Sequence, residues 1–408
     1  MGISLPDWVE TLSYLQIASF PVIAALVGWA TNWLAVQLTF YPVERMGFGS
    51  VLAWQGVIPK NAEKMASISV DRTIDRFGDM HDVFMRLEPE KITHQILRQI
   101  IPRVEEYIDE IMYEHHDVLW DNLPFALRER VYEWARRQLP GRVEALVAEF
   151  GDELGELVDL KELLITDLKL HPDLMVRIFQ EAGDKEFQFI IKSGLFLGFL
   201  MGCIVLPVWA SYPSIWTLLG AGFVIGWATN WIAINLIFRP VNPRNVFGYR
   251  LQGLFLKRQK EVAAVWSKLI ADELITVERV AWYMIYGRHG MRTRSIIQKN
   301  MRPALDQSGT IKLIAQLTVG ANGYAELKKA LHDKAVSVSV VPFHDPEFNR
   351  DRAPIVAAEI ERRMAALRPA EFQDVLRPAF QEEEWQLMFI GGCLGALAGL
   401  IQWGMFFT

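Results

Sequence analysis

The chain has 408 residues and a formal net charge of −6, and its 22% of charged residues is close to the average for soluble proteins. Its apolar fraction of 51% and mean hydropathy of +0.14 are high for that charge, which argues against a chain that is soluble throughout. The length allows two or more domains, with charged and apolar residues in separate segments.

Three stretches without any Asp, Glu, Lys or Arg predict four membrane-spanning helices. They cover residues 17–40, 193–238 and 387–408, and a helix needs about 20 apolar residues to cross the hydrocarbon core. The middle stretch is long enough for two spans, separated by a turn near Pro213. We therefore predict spans near 17–40, 190–210, 214–238 and 387–407. The first is too long, and lacks the preceding basic residues, for a cleavable signal peptide.

Basic residues flank these spans on one side only. Lys192 precedes the second span and several arginines follow the third, whereas the 211–214 turn and the C-terminal tail carry no basic residue. By the positive-inside rule, residues 41–188 and 239–386 are predicted to be cytoplasmic and both termini to be outside. Cys203 and Cys393 both fall inside spans, so we expect packing residues there rather than a disulfide or a metal site.

The charged segments between the spans are predicted to be helical. Apolar residues recur at three- and four-residue intervals over 92–113, 126–139 and 142–164 in the first segment, and over 257–284, 291–308 and 354–367 in the second. The alternating run 336–341 suggests a short strand, and 342–352 is expected to be a loop. Together with the spans, this pattern predicts an all-α integral membrane protein with two long cytoplasmic helical domains.

The two segments differ in charge. Residues 41–188 hold 18 basic and 29 acidic residues, whereas residues 239–386 hold 23 basic and 17 acidic residues. Two interpretations stay open: drift of solvated faces after a duplication, or attraction between the segments. The basic excess is mild and no recognition motif accompanies it, so nucleic acid is not expected as a partner.

An internal repeat is the strongest signal in the chain. Residues 27–43 read VGWATNWLAVQLTFYPV and residues 225–241 read IGWATNWIAINLIFRPV, an offset of 198 positions. The Gln55-Gly56 pair likewise corresponds to Gln252-Gly253. We predict two tandem parallel repeats: 1–210, with spans 17–40 and 190–210 around segment 41–188, and 211–408, with spans 214–238 and 387–407 around segment 239–386. Parallel repeats imply a pseudo-two-fold axis along the membrane normal.

The motif G-W-x-T-N-W-[LI]-A followed by F-x-P, with a later Q-G and a basic run, resembles the YheB-like family of uncharacterised bacterial membrane proteins (domain of unknown function 445). The resemblance covers both ends of both repeats and implies a multi-pass protein of the bacterial inner membrane, without an established activity. The chain departs from the family pattern at Gln37 and Asn235, where a basic residue is expected, and Tyr41 stands where the second repeat has Arg239.

Small and polar residues form one stripe along the motif helix. Gly28, Thr31 and Asn32, followed by Trp33, correspond to Gly226, Thr229, Asn230 and Trp231 in the other repeat. The second span of each repeat carries glycines at every fourth position, which let helix backbones approach closely in lipid: Gly194, Gly198 and Gly202, and Gly391, Gly395 and Gly399. The favoured interpretation is that the asparagines fix helix packing through hydrogen bonds; the other is that Asn and Thr line a path for a solute or a lipid head group.

The segment after the third span is the best candidate for binding. Basic residues alternate there with aromatic ones, a pattern suited to anionic lipid head groups: Arg239, Arg244, Arg250, Lys257, Arg258 and Lys260. An ordinary basic flank packed on its own domain is the competing interpretation. The Glu114-His115-His116-Asp117 cluster is a weak metal candidate because adjacent histidines on a helix point in different directions.

No catalytic or cofactor motif occurs in the sequence, so we expect neither an enzyme nor a bound cofactor. Spans without ionisable residues also argue against an ion-coupled transporter. The leading hypothesis is a structural or envelope-associated inner-membrane protein that engages anionic lipid or a protein partner, including a second copy of itself, through its cytoplasmic helices. The alternative is transfer of a lipid or small solute through the span bundle. A cavity between the spans would favour transfer, and a closed glycine-packed bundle would favour the structural role.

Overall fold

The computed structural model describes residues 14–47, 54–64, 67, 80–246, 248–306, 309–376 and 384–406. Almost all of them are helical, and they include one two-stranded antiparallel sheet, which pairs Arg244–Val246 (β1) with Tyr249–Leu251 (β2). The prediction of a helical protein is therefore confirmed. The strand pair is a small departure from an all-α description.

Four of the helices are long and apolar enough to cross a membrane. They are α1 (Tyr14–Phe40), α8 (Pro172–Ser211), α9 (Ile215–Phe238) and α17 (Glu384–Phe406). All four overlap the predicted spans to within one residue at the ends of α9 and α17, and α8 begins well before its apolar part. It also continues through Pro207, and the turn to α9 falls at residues 212–214.

The remaining helices lie between these spans. Before α8 they are α2 (Val57–Lys60), α3 (Met80–Arg86), α4 (Pro89–Ile100), α5 (Val104–Asn122), α6 (Phe125–Leu157) and α7 (Leu160–Leu170). After β2 they are α10 (Leu254–Lys257), α11 (Gln259–Glu273), α12 (Val277–Tyr286), α13 (Gly290–Asp306), α14 (Gly309–Val338), α15 (Pro346–Ala366) and α16 (Pro369–Leu376).

The chain divides into two compact units, and each combines segments from both halves of the sequence. The unit that contains the four long helices, here called the membrane unit, comprises residues 1–72, 168–266 and 364–408. The other, here called the helical unit, comprises residues 73–167 and 267–363. The two segments between the spans thus contribute to a common helical unit.

The helical unit has an apolar core built from both segments. Phe84, Val143 and Leu157 of the first segment belong to the same buried cluster as Ile297 and Phe343 of the second. Gln95, which is 3% exposed, donates a hydrogen bond of 2.9 Å to the carbonyl of Pro342 within this core. A polar group buried so deeply requires such a partner.

This core is incompletely filled. It contains a partly open apolar cavity of about 270 Å³ lined by side chains of both segments.

Two local predictions in the second segment are wrong. Residues 336–338 belong to α14 rather than to a strand, and the Ser337 and Ser339 hydroxyls bond to carbonyls three residues earlier, as at the end of a helix. The predicted loop at 342–352 contains a 3₁₀ turn (Val341–His344) and the start of α15. Asp345 caps α15 by accepting a 3.0 Å hydrogen bond from the amide of Glu347.

The predicted break between the helices at 126–139 and 142–164 is also absent, because one helix spans residues 125–157. Pro140 lies inside α6, which runs unbroken to Leu157. Proline removes one helical hydrogen bond, but Tyr132 before it and Val143 and Leu146 after it are all buried. Tertiary packing on both sides of the proline outweighs the local cost.

Candidate functional site

The two motif asparagines bond to the second span of their own half of the chain. Asn32 is fully buried and donates from Nδ2 to the carbonyl of Ile190 at 2.7 Å. Asn230, 2% exposed, donates in the same way to the carbonyl of Leu387 at 3.2 Å. Each bond joins the motif helix to the next membrane-length helix of the same half, α1 to α8 and α9 to α17. The asparagines therefore have separate partners and do not bond to each other.

Glycines bring the same helix pairs into backbone contact. A Cβ on Gly28 would overlap the carbonyl oxygen of Gly194, and a Cβ on Gly226 would overlap that of Gly391. A Cβ on Gly202 would lie 2.6 Å from the Cα of Pro21. The glycines at 198, 395 and 399 meet the facing backbone in the same way. Any side chain at these positions would separate the helices.

The other motif residues divide between the inside and the outside of the bundle. Thr31 and Thr229 are buried, and each hydroxyl donates to a carbonyl of its own helix. Trp33 and Trp231 are 44% and 48% exposed, so they face away from the helix contacts. The indole of Trp231 stacks on that of Trp227, with ring centroids 6.2 Å apart. The motif thus combines an inner polar stripe with an outer aromatic surface.

The F-x-P and Q-G sequences form a return loop after each motif helix. Gly56 donates its amide to the carbonyl of Pro42 at 2.9 Å, and Gly253 donates to that of Pro240 at 3.0 Å. Gln55 and Gln252 donate their side-chain amides to the carbonyls of Val43 and Val241. A Cβ on either glycine would come within 2.6 Å of the backbone of the motif helix. The repeat in the sequence therefore has the same local structure in both halves.

Arg258, a predicted lipid contact, forms ion pairs within the membrane unit. Its guanidinium lies 2.5 Å from a carboxylate oxygen of Glu186 and 2.9 Å from one of Glu261. Glu186 is only 3% exposed. Although burial opposes it, hydrogen bonding to both carboxylates raises the pKa of Arg258, and hydrogen bonds from Arg258 and Lys185 lower the pKa of Glu261. Arg258 therefore stabilises the fold of the membrane unit.

Four of the other predicted lipid contacts are exposed and have no acceptor among the residues that the structure describes. We call Arg239, Arg244, Lys257 and Lys260 the basic collar. The side chain of Arg250 lies outside the described part of the chain. At the positions of Arg239 and Arg244, the first half has Tyr41 and Met46, and Tyr41 accepts a hydrogen bond from Gln180. Free cationic side chains are thus found in the second return loop.

One polar contact inside the bundle could not be predicted from the sequence. Gln402 of α17 donates to the hydroxyl of Ser19 of α1 at 3.2 Å, and both residues are 6% exposed. This bond links the first and last spans across the two halves. Neither residue belongs to the repeated motif, and single polar residues in spans give no indication of their partner.

The described residues of the four spans enclose a small space where the four helices meet. A void of about 20 Å³ there is lined by Phe20, Gly202, Leu218, Gln402 and other residues of the four spans. It is close to the size of a single water molecule. Within the described ranges, no three His, Cys, Asp or Glu residues are arranged to hold a metal ion.

Comparison with known proteins gives homologues over part of the chain. A UPF0754 membrane protein of Staphylococcus epidermidis is 32% identical over 97 residues, which are 23% of this chain and 26% of the relative. One from Geobacillus kaustophilus is 42% identical over 64 residues, 15% and 17% of the two chains. One from Synechococcus sp. is 43% identical over 63 residues, 15% and 16% of the two chains.

The homologues are bacterial membrane proteins. Together with the four long apolar helices, they identify the chain as a helical membrane protein. The chain matches about a quarter or less of the length of these relatives, whose uncharacterised family is compatible with the YheB-like resemblance. No family model matches the chain, and no solved structure matches it.

Proposed function

We propose that this protein is a non-enzymatic structural or envelope-associated protein of the bacterial inner membrane, which engages anionic lipid through the basic collar. The proposal rests on four basic side chains that have no hydrogen-bond or ion-pair partner among the described residues: Arg239, Arg244, Lys257 and Lys260. Each side chain is exposed and unpaired. Arg239 directly follows α9, and α10, which ends at Lys257, contacts α9. Phosphate head groups supply the acceptors that the protein does not.

The energy available to the collar is sufficient for lipid selection. A basic residue near an anionic membrane surface gains about 1 kcal/mol, so four residues gain on the order of 4 kcal/mol. Since about 1.4 kcal/mol corresponds to a tenfold change, this is roughly a thousandfold preference when all four act together. The proposal places the collar at the cytoplasmic leaflet, as the positive-inside rule expects, with both termini outside.

The packing of the spans supports a structural role over transfer through the bundle. Glycines hold α1 against α8 and α9 against α17 at backbone distance, and the space between the spans is close to that of one water molecule. Asn32 and Asn230 donate to backbone carbonyls instead of facing a path. The proposal therefore assigns the stripe to helix packing.

Lipid selectivity in nanodiscs would test the proposal. The collar variant combines Arg239→Tyr and Arg244→Met, the residues of the first half, with Lys257→Gln and Lys260→Gln. Wild-type protein in mixed phosphatidylcholine and phosphatidylglycerol should retain phosphatidylglycerol preferentially, as measured by native mass spectrometry. The collar variant should lose most of that preference, and added salt should weaken it in the wild type because screening reduces surface electrostatics.

A matched control distinguishes an effect of the collar itself from an effect of the protein's total charge. It neutralises four exposed basic residues of the helical unit that have no partner among the described residues, by substituting Gln for Arg130, Arg288, Lys329 and Arg350. This variant has the same net charge as the collar variant and should keep the wild-type lipid preference. Equal preference in the collar variant and the wild type would contradict the proposal.

A further inference from the structure

The cavity in the helical unit has the composition of a site for a hydrocarbon chain. Its lining is almost wholly aliphatic and aromatic, contributed by α3 to α7 and α12 to α15, and includes Phe84, Ile96, Leu146, Ile285 and Ile297. Small-molecule pockets begin near 300 Å³, so a cavity of about 270 Å³ accommodates a slender ligand. Apolar cavities of this kind stay dry and bind apolar molecules.

One polar group of the lining has no partner. Thr293 is fully buried, and its hydroxyl makes no hydrogen bond to any residue that the structure describes. It belongs to α13 and lines the cavity. Buried hydroxyls are almost always hydrogen-bonded, so an unpaired one indicates a missing acceptor or donor. An oxygen atom of a ligand within the cavity would supply the missing hydrogen-bond partner of the Thr293 hydroxyl.

The charges in the cavity lining favour a ligand with an uncharged oxygen over a ligand with an anionic oxygen. Lys334, which lines the cavity at a partly exposed position, is the one cationic side chain in the described lining. It is already ion-paired with Glu110 and lies over the ring of Tyr107 at 5.1 Å. A carboxylate or phosphate buried beside Thr293 would therefore lack a counter-ion, and burial of an unpaired charge is strongly unfavourable.

We propose that the helical unit binds a single unbranched hydrocarbon chain that ends in an uncharged oxygen, of the kind found in long-chain alcohols. The chain occupies the apolar cavity, and its oxygen hydrogen-bonds to the Thr293 hydroxyl. This site is independent of the basic collar, which belongs to the membrane unit and is proposed to bind anionic lipid head groups.

Photolabelling of the full-length protein in nanodiscs would test this site. The probe is a diazirine analogue of hexadecanol, and labelled peptides are mapped by mass spectrometry. Peptides that contain Ile96 and Ile297 should be labelled in the wild type, with the spans labelled as an internal reference. Ala281 lines the cavity, so Ala281→Phe should abolish cavity labelling, whereas the exposed Ala145→Phe on α6 should leave it unchanged.

A second, isosteric variant tests the hydroxyl and does not depend on tolerance of a larger side chain. Thr293→Val should reduce labelling by the alcohol analogue by about threefold to tenfold, the worth of one hydrogen bond. A diazirine fatty acid with an equally long chain should label the wild-type cavity more weakly than the alcohol does. Wild-type labelling confined to the spans would overturn the proposal, and so would full cavity labelling in a folded Ala281→Phe variant. Unchanged labelling in Thr293→Val would overturn the assignment of the oxygen.

Discussion

At the scale of single residues, three amide side chains within the spans donate to backbone carbonyls or to another side chain. Asn32 and Asn230 use carbonyls of the following span, and Gln402 uses the Ser19 hydroxyl. Water is scarce in hydrocarbon, so an unpaired amide there would be costly. These bonds fix which helices pair and in which register.

We predict that Asn32→Leu and Asn230→Leu each lower the free energy of unfolding by about 1 kcal/mol, the usual worth of such a bond between spans. Because the two asparagines share no hydrogen-bond partner, the double variant should equal the sum within about 0.5 kcal/mol. Unfolding titrations in mixed micelles would measure this. Variants with wild-type stability that fail to complement a deletion strain would instead support the transfer function.

At the scale of elements, glycine spacing determines how closely the spans pack. The Cβ of an alanine at position 198 would overlap the carbonyl of Ala24 and lie 3.0 Å from the Cα of Ala25. Backbone atoms at this contact cannot move aside as a flexible side chain can. Gly220 of α9 differs, because a Cβ there would meet nothing within 4 Å.

Gly198→Ala should therefore destabilise the protein by about 1–3 kcal/mol, as overpacking of a close contact usually does. Gly220→Ala is the matched control and should be neutral, or stabilising by up to about 1 kcal/mol, because alanine favours helix over glycine. Thermal unfolding of both variants in one detergent would compare them. A Gly198→Ala variant as stable as Gly220→Ala would refute a glycine-mediated contact between α1 and α8.

At the scale of the whole molecule, the two halves of the sequence are interleaved. The membrane unit and the helical unit each combine chain from both halves. A sequence repeat can thus have the same local structure in each copy without forming an independent domain. Neither half has a complete helical core by itself, since Val143 and Ile297 belong to one cluster.

Topology can be tested with an impermeant maleimide on spheroplasts. In a variant with Cys203 and Cys393 replaced by serine, Ser211→Cys should be labelled in intact spheroplasts, because the turn after α8 is predicted to be outside. Gln138→Cys, exposed on α6, should be labelled only after permeabilisation. A reporter fused to the C-terminus should also be outside. A cytoplasmic C-terminus would contradict the predicted four-span orientation.

The candidate site was only partly predictable. Charge pattern alone singled out the segment that contains Arg239 and Lys260, because basic residues beside a span are visible in the sequence. It could not separate these from Arg258, whose partner Glu186 lies 72 positions away in the chain. Thr293 had no signal at all, since an unpaired hydroxyl is defined by its surroundings.

Three features could be predicted from the amino-acid sequence alone: the four apolar helices, the repeated motif and the helical character of the segments between the spans. Each depends on local properties: length without charge, identical residues at a fixed offset, and three- to four-residue periodicity. Three other features required the folded structure: both segments share one helical unit, α6 passes through Pro140, and residues 336–338 are helical. These outcomes depend on the burial of side chains against residues distant in the chain. The free energy of that burial exceeds the intrinsic preference of the local sequence for a helix or a strand.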